Sequence, residues 1–327
     1  QWSFQFVVEP IISIPGLAGN ILSLIVICQQ GLHKSSNILL VSLSISDISH
    51  LLCINNIPYF LYYSQGSYFV YSPDVNIALY HLTKLSEFFI TVGKLMSLTL
   101  IVLITTERLI AIFLPLKFST IVTPWRTLVS VCCLLVLLAT ITAYFMFYTQ
   151  LIQGPLRARI YVSKLYYADK RANVYDTLQE FTNNITGIVP LCYVSVGCAL
   201  IGVKVKMASR KRLAMTSSSV YVKTPDDNTT DLLKSRAGRS MTKTTRTLLS
   251  VCVLYIICGG VSYLLRYVNI AFGEYESMRL VLQEVNKTAM LINSAANFVI
   301  YVVTNRNFRN GFLQIFSCCR QTKTILP

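Results

Sequence analysis

The sequence predicts an all-α fold, a bundle of seven membrane-spanning helices followed by a short amphipathic helix. Of its 327 residues, 54% are hydrophobic and only 13% are charged, whereas a soluble domain carries about a quarter charged residues. Residues 128–147 contain no charge, and neither do residues 185–203 or 247–265. A helix of about 18 apolar residues crosses the hydrocarbon core, but a buried strand usually ends after about 8. The run lengths therefore favour helices, which satisfy their own backbone hydrogen bonds in lipid.

Seven segments of the chain have the length and apolar character of such helices. They are residues 6–28, 37–62, 80–113, 125–148, 182–206, 243–270 and 281–304. We expect residues 1–305 to form one seven-transmembrane domain with a long cytoplasmic loop at about 207–242. Residues 306–327 are expected to form the amphipathic helix and a cytoplasmic tail. No internal repeat is visible in the sequence, which argues against a transporter built from duplicated halves.

The net charge of +15 is concentrated on one side of the predicted membrane domain. Residues 204–246 carry eleven Lys or Arg against three acids, and cytoplasmic loops are enriched in basic residues. We therefore expect a multi-pass protein of the cell membrane, held in the lipid bilayer, with an extracellular N-terminus and a cytoplasmic C-terminus. This placement of the charge argues against a nucleic-acid partner. Because the sequence begins at Gln1 rather than at a methionine, we expect further extracellular residues before it, and no cleavable signal peptide is predicted.

The region after the seventh segment has the pattern of a helix lying in the membrane interface. Phe308, Phe312 and Phe316 recur at helical spacing among arginines, so one face is apolar and the rest is basic. Cys318 and Cys319 follow at the expected membrane edge. Juxtamembrane cysteines are sites of palmitoylation, but two unmodified thiols in a tail are an equally good interpretation.

Several polar residues lie inside the predicted spans, where they are costly unless they face one another. They occur in the first, second, third and seventh segments and comprise Asn20, Asp47, Ser97, Asn293, Ser294 and Asn297. The three residues of the seventh segment share one helical face. We expect the set to build one buried polar cluster with a single carboxylate, that of Asp47.

Short motifs in these segments resemble the landmarks of rhodopsin-like (class A) G-protein-coupled receptors. Each motif is weak alone, but their order and spacing across seven segments make the set specific. The resemblance implies a receptor that binds an extracellular ligand in the outer half of the bundle and promotes nucleotide exchange on a heterotrimeric G protein, and it implies no enzyme activity. The motifs are Gly19-Asn20, the Leu-x-x-x-Asp that ends at Asp47, Glu107-Arg108, Pro190, and Asn297-Phe-Val-Ile-Tyr301.

The resemblance also implies a sodium pocket around Asp47. In the family, a carboxylate and neutral oxygens hold the cation in the inactive state, and the matching positions are Asp47, Ser97, Asn293 and Asn297. A hydrogen-bonded cluster without an ion is one alternative, and a protonated Asp47 is another. No cofactor is required, and Na⁺ would act as an allosteric ion.

The same resemblance assigns roles in coupling to the G protein. Arg108 matches the arginine that engages the G protein on opening, and Glu107 matches the acid that pairs with it in the closed state. Tyr301, which follows Asn297 in its motif, matches a tyrosine that swings inward on activation. An ordinary ion pair at a helix end is the plain alternative for Glu107 and Arg108. Arrestin and a receptor kinase are candidate partners beside the G protein.

The sequence departs from the family pattern at several positions. Residues 258–261 read Cys-Gly-Gly-Val where the family has Trp and Pro, and Phe298 follows Asn297 where proline is usual. Thr83 stands where the family has a cysteine at the top of the third segment, and residues 149–184 contain none. The usual external disulfide therefore cannot form. Such departures resemble the divergent chemosensory-like and neuropeptide-like receptors of invertebrates.

The third segment is the least apolar of the seven, and its charges lie on the face that looks into the ligand cavity in this family. The candidate ligand-binding residues are Glu87, Ile90, Thr91 and Lys94 of this face, with Arg266 of the sixth segment and Glu284 and Lys287 of the seventh. Lys94 either pairs with Glu87 or receives an acidic group of the ligand. Glu284 either contacts a basic ligand group or pairs with Lys287.

The type of ligand stays open at this stage. Charged outer loops and several aromatic residues favour a neuropeptide, whereas the missing disulfide and the altered sixth segment favour a chemosensory ligand. A membrane transporter or channel with seven helices is the alternative from a different class of protein. It would leave the Glu107-Arg108 and Asn297 to Tyr301 motifs unexplained.

Overall fold

The computed structural model describes residues 4–63, 71–147, 149–153, 161–165, 171–218, 247–265, 267–268, 276–306 and 308–314. A π-helical turn (Phe4–Val8) opens the chain. The helices are α1 (Glu9–Gln29), α2 (Ser35–Cys53), α3 (Ile57–Tyr63), α4 (Pro73–Phe113), α5 (Phe118–Ile121), α6 (Pro124–Phe147), α7 (Arg171–Ser218), α8 (Thr247–Leu265), α9 (Glu276–Thr304) and α10 (308–314). An antiparallel hairpin of β1 (Thr149–Gln153) and β2 (Tyr161–Leu165) lies between α6 and α7 in the chain.

Eight helices account for the seven predicted spans, because the second span is divided between α2 and α3. Within the described residues, six helical segments are long and apolar enough to cross a membrane: α1 with its preceding turn, α2 with α3, α4, α6, α7 and α8. Helix α9 has 29 residues, which is also long enough, although polar side chains on one face lower its hydropathy. The prediction of an all-α seven-helix bundle is confirmed, and the short hairpin is an addition in a region predicted as loop.

The burial pattern is that of a protein surrounded by lipid. The side chains of Asn20 and Asp47 are fully buried, whereas Val136 is 65% exposed and Val303 is 69% exposed. Polar groups avoid hydrocarbon and apolar groups do not, so this arrangement suits a bilayer rather than water. The chain is therefore a multi-pass membrane protein.

The second predicted span, residues 37–62, is two helices rather than one. Helix α2 ends at Cys53 and α3 begins at Ile57, because Pro58 has no N–H to continue the α2 ladder. The Asn56 side chain caps the new helix by accepting a hydrogen bond from the Tyr59 N–H at 3.2 Å. Asn55 Nδ2 donates to Ser13 Oγ at 3.1 Å, which ties the bend to α1.

Two helices extend well beyond their predicted limits. Helix α4 has 41 residues and begins at Pro73 rather than at residue 80, because the Ser72 hydroxyl accepts from the Val75 N–H at 3.5 Å and proline suits the first turn. Helix α7 has 48 residues and takes in the first part of the loop predicted at about 207–242. Each is about twice as long as the hydrocarbon core is thick. The turns added to α7 are polar, and those added to α4 are interrupted by Pro73, Asp74 and Asn76, so neither continued the apolar run on which the prediction relied.

The bundle has α4 at its centre and α1 between α2 and α9. Helix α4 packs against α2, α3, α6 and α7. A Cβ atom at Gly93 of α4 would lie 2.8 Å from the Ser46 carbonyl oxygen and 2.9 Å from the His50 backbone nitrogen. Glycine is therefore required for α4 to approach α2 this closely. We call the end that carries the β-hairpin the hairpin end, and the opposite end, which carries α10, the tail end.

Helix α10 corresponds to the predicted amphipathic helix and packs against the bundle. The Asn305 side chain caps it by accepting from the Phe308 N–H at 3.2 Å. Phe308 is buried, with its ring centroid 5.6 Å from that of Tyr301 and 6.1 Å from that of Phe298. The helix thus covers the tail end of α9. The predicted apolar Phe316 and the lipidation candidates Cys318 and Cys319 lie outside the described residues.

Candidate functional site

A buried carboxylate in the middle of α2 joins three helices. Asp47 is fully buried, and its Oδ1 accepts from Ser97 Oγ of α4 at 2.7 Å. Its Oδ2 accepts from Asn297 Nδ2 of α9 at 2.7 Å. Three of the four predicted sodium-site residues are therefore in direct contact. The fourth, Asn293, is buried one turn away on α9.

A second set of polar contacts continues the cluster toward α1. Asn20 Nδ2 donates to the carbonyl oxygens of Gly16 and Ser294, each at 2.9 Å. His50 Nδ1 lies 3.0 Å from Ser294 Oγ. Because Ser294 contacts both α1 and α2, it fixes the rotation of α9. His50 was missed in the sequence, although it lies one turn after Asp47 on the same face of α2.

The donor set around Asp47 fits a hard cation such as Na⁺. The four side chains carry carboxylate, hydroxyl and amide oxygens, which are the ligands such cations take in proteins, and Asn297 here turns its amide nitrogen to the carboxylate. No described cationic side chain forms an ion pair with this carboxylate. Both of its oxygens are instead hydrogen-bonded to neutral groups, and an isolated buried charge needs a counter-charge.

At the tail end, the predicted coupling residues form a buried network with a serine from another helix. Arg108 Nη2 donates to Ser36 Oγ of α2 at 2.6 Å and lies 3.5 Å from Glu107 Oε1. Ser36 Oγ donates to the same Glu107 oxygen at 2.8 Å. Both charged side chains are at least nine-tenths buried. The pair is therefore more than an exposed helix-end contact, and it lines a cavity of about 550 Å³ at this end.

The first turn of α8 and the last turn of α9 also meet near this network. Thr304 Oγ1 donates to Thr247 Oγ1 at 3.0 Å, and Thr105 Oγ1 lies 3.5 Å from Cys252 Sγ. Tyr301 is buried beneath Phe308, and its hydroxyl has no hydrogen-bond partner among the described groups. Beside the apolar packing of Leu248, Val251 and Tyr301, single polar contacts thus join α8 to α4 and to α9, and a shift of α8 would break them.

At the hairpin end, three neighbouring cavities surround Lys94. Their volumes are about 360, 140 and 370 Å³, and the first and last are within the range of small-ligand sites. Lys94 lines all three, Glu87 lines the two larger ones, and Ile90 and Thr91 line one each. The predicted ligand face of the third span therefore does face cavities.

The charged residues at this end form two helix-internal ion pairs. Lys84 Nζ lies 2.7 Å from Glu87 Oε2, so Glu87 has Lys84 as a partner. Lys287 Nζ lies 3.1 Å from Glu284 Oε1, which is the pair considered in the sequence. Lys287 lines the 360 Å³ cavity, whereas Glu284 is buried behind it. Arg266, the remaining ligand candidate, lies outside the described residues.

Sequence reasoning passed over two polar residues that the structure places at these sites. Ser36 lies just before the predicted second span and belongs to no motif, so only the packing of α2 on α4 reveals it. Glu9 lines the hairpin-end cavity from α1 and is 4% exposed. An acid inside the predicted span 6–28 was a visible signal that was not used.

Seven membrane-spanning helices, a polar core and a buried arginine at one end define a class of membrane receptor. The chain belongs to the family of 7 transmembrane receptors (rhodopsin family), whose pattern it matches over residues 19–301. This is a family of receptors and not of enzymes.

Two curated relatives are similar to most of the matched region. The chain is 24% identical to the FMRFamide receptor of Drosophila melanogaster in an alignment 320 residues long, which covers 94% of this chain and 52% of that receptor. It is 22% identical to cannabinoid receptor 1 of Xenopus laevis over 216 residues, which are 66% of this chain and 44% of that receptor. The chain thus spans about half the length of the relatives it matches.

Proposed function

We propose that this receptor binds an extracellular ligand at the hairpin end and promotes nucleotide exchange on a heterotrimeric G protein at the tail end. The observation that carries the proposal is the buried network of Arg108, Glu107 and Ser36. A buried charge pair is costly to keep, and opening it would free the arginine for a partner. The ligand acts by binding the open state more tightly than the closed one.

The proposal fixes the orientation of the chain. The hairpin end is extracellular and the tail end is cytoplasmic, in keeping with the basic residues between α7 and α8. The cavity of about 550 Å³ beside Arg108 then opens to the cytoplasm. Arrestin and a receptor kinase are further partners proposed for that face.

The proposed ligand is a peptide. The relative that covers 94% of this chain is an FMRFamide receptor, and the charges of Glu9, Lys94 and Lys287 around one cavity suit a ligand with polar and ionic groups. A small chemosensory molecule is the second candidate. It is favoured by the modest volume of the cavity, about 360 Å³.

A G-protein activation assay in cells tests the coupling. The receptor is compared with Arg108→Ala and with Arg126→Ala, which removes an exposed arginine at the same end. A panel of amidated peptides and small acidic odorants is applied at matched surface levels. We expect a ligand-dependent signal that is lost in Arg108→Ala and kept in Arg126→Ala. Silence of every G protein across the panel, despite good surface expression, would contradict the proposed coupling.

The same assay tests whether Lys94 receives an acidic ligand group. We expect Lys94→Met to lower the potency of the active ligand at least about tenfold, since a charge-assisted contact in a partly enclosed site would be lost. The matched control is Lys84→Met, whose ammonium already pairs with Glu87 at the cavity rim. Unchanged potency of Lys94→Met at normal surface expression would contradict this role.

We further propose that Na⁺ binds beside Asp47 and stabilises the closed state. Asp47, Ser97, Asn293 and Asn297 would hold it, with the charge of the carboxylate balanced by the ion. Replacing Na⁺ by choline in membrane preparations should raise agonist affinity of the natural chain and leave Asp47→Asn unaffected. An equal response of the two proteins would contradict the proposal.

A further inference from the structure

One acidic side chain at the hairpin end has no partner in the part of the chain that the structure describes. Glu9 is the first residue of α1, is 4% exposed and lines the cavity of about 360 Å³. None of the described hydrogen bonds or ion pairs ends on its carboxylate. Acids are rarely buried unless they are paired, so this one calls for an explanation.

The other charges around the cavity do not supply the missing partner. The lining includes a second acid, Glu87, which already pairs with Lys84 at 2.7 Å. Lys287 also lines the cavity, but its ammonium lies 3.1 Å from Glu284. Lys287 and Glu284 act on Glu9 only through space. Where α1 meets α9, two carboxylates thus face the one ammonium of Lys287, while the other lysine of the lining, Lys94, belongs to α4.

The position of Glu9 in its helix does not account for its burial. An acid in the first turn complements the helix macrodipole, but that contribution is small and is made equally well by an exposed side chain. The lining mixes apolar side chains with polar ones, among them Gln5 of the preceding turn and Asn286 of α9. The carboxylate therefore faces a partly polar space large enough for a side chain.

We propose that Glu9 anchors a cationic group of the ligand, a guanidinium or an ammonium, where α1 meets α9. This inference rests on the proposed function, since it assigns ligand chemistry to the same cavity. The group enters beside Asn286 and pairs with the Glu9 carboxylate, leaving the Glu284–Lys287 pair intact. Lys94 of α4 lines the same cavity. The cavity therefore selects ligands that carry charges of both signs, or a cation beside a neutral acceptor.

A thiol-labelling experiment tests the charge preference of the cavity without an agonist. A cysteine is placed at Met290, which lines the cavity, in the full-length chain in membranes. It is treated with a cationic trimethylammonium-ethyl or an anionic sulfonatoethyl methanethiosulfonate. The thiolate attacks the sulfenyl sulfur, a new disulfide forms, methanesulfinate leaves, and the thiol proton passes to water. Mass spectrometry of the peptide that contains position 290 separates this label from that on native cysteines.

We expect the labelling rate of the cationic reagent, divided by that of the anionic reagent, to fall about tenfold or more in Glu9→Gln. The Glu9 carboxylate attracts the cationic reagent and repels the anionic one, so its removal changes the two rates in opposite directions. Glu9→Asp should keep the ratio, and Asp74→Asn, which removes an exposed acid at the same end, should not change it. An unchanged ratio in Glu9→Gln, with Met290→Cys labelled normally, overturns the proposal.

A peptide pair then tests ligand recognition itself. FMRFamide is compared with an analogue in which citrulline, neutral but of nearly the same shape, replaces the arginine. If FMRFamide activates the receptor, we expect the citrulline analogue to be at least about tenfold less potent than FMRFamide on the natural chain. On Glu9→Gln, the two peptides should have nearly the same potency. Equal losses on both receptors overturn the role of Glu9. Silence of FMRFamide bears on the proposed peptide ligand alone, because the labelling ratio still decides the charge of the cavity.

Discussion

The two ends of the bundle use polar groups in opposite ways. In the core and at the tail end, Asp47, Glu107 and Arg108 are buried and each is held by neutral side chains from other helices at 2.6–2.8 Å. At the hairpin end, Glu87 and Lys287 each form an ion pair with a residue of their own helix, three positions away. Contacts between helices hold the bundle together, whereas contacts within one helix leave the space between helices open.

This difference separates the polar groups that stabilise the bundle from those that are available to a ligand. A buried group that bridges helices cannot be replaced without leaving its partners unsatisfied. A pair on one helix at a cavity rim contributes little to stability and stays adjustable. Substitutions that remove a similar number of atoms should therefore lower the stability of the receptor by very different amounts at the two ends. The following experiments measure this difference.

The largest effect is expected for Asp47→Leu. It removes the acceptor of both the Ser97 hydroxyl and the Asn297 amide, and each unsatisfied buried donor costs about 1–3 kcal/mol. We expect a large fall in the thermal midpoint of the purified receptor or loss of surface expression. Asp47→Asn, which keeps the shape and one acceptor, should cost less. If Asp47→Leu is as stable as the natural chain, the core network does not hold the helices.

Gly93→Ala is expected to come second. The new methyl group would meet the backbone of α2 at 2.8–2.9 Å, and such overpacking costs about 1–3 kcal/mol. The control is Gly202→Ala on α7, where nothing lies within 4 Å of the new Cβ and a small gain is expected. The thermal midpoints of the two variants should shift in opposite directions. Equal shifts would show that α4 and α2 are not in close contact.

Ser36→Ala tests the tail-end network through signalling. The substitution removes the contacts of 2.6 Å to Arg108 and 2.8 Å to Glu107, so the closed state should lose about 1 kcal/mol. We expect ligand-free G-protein signalling to rise about fivefold at equal surface level. Ser42→Ala, whose hydroxyl bonds only to its own helix at Ile38, serves as the control. If ligand-free signalling rises equally in Ser42→Ala, the contacts of Ser36 do not specifically stabilise the closed state.

The smallest effect is expected for Lys84→Met at the hairpin end. Its pair with Glu87 has side chains 29% and 36% exposed, and such pairs contribute under about 1 kcal/mol and are screened by salt. The thermal midpoint should hardly change at high or low ionic strength. A large loss of stability would mean that the two ends do not differ as described.

The sequence predicted most of the interior of the bundle because each predicted group marks a fixed helical position. Asp47, Ser97 and Asn297 lie at mid-span on apolar helices, where a polar residue has to face inward. Arg108 was found by its motif, but its partner Ser36 was not. That contact depends on how α2 docks against α4, and no spacing within one helix encodes it.

The features that the sequence did not predict are the bend in the second span, the extra turns of α7 and the burial of Glu9. The bend at residues 54–56 and the extra turns of α7 lie where the apolar pattern stops, so run length gave no signal for them. The Pro58 in the second span was the one local cue for the bend. Glu9 was visible as an acid in a span, yet its burial follows from α1 packing beside α9, which only the assembled bundle shows.

The bend between α2 and α3 has a consequence for how the cavity is mapped. Ile54, Asn56 and Tyr59 of this segment line it, and irregular main chain is tolerated at membrane depth where it borders such a space. Since Pro58 has no N–H, the Ile54 carbonyl lacks the donor that a continuous helix would supply. Some of the hydrogen-bond acceptors on this side of the cavity are therefore backbone carbonyl groups rather than side chains. Alanine scanning leaves those groups in place, so it will underestimate polar recognition here, and backbone-altered ligands such as N-methylated peptides will be the more sensitive probe.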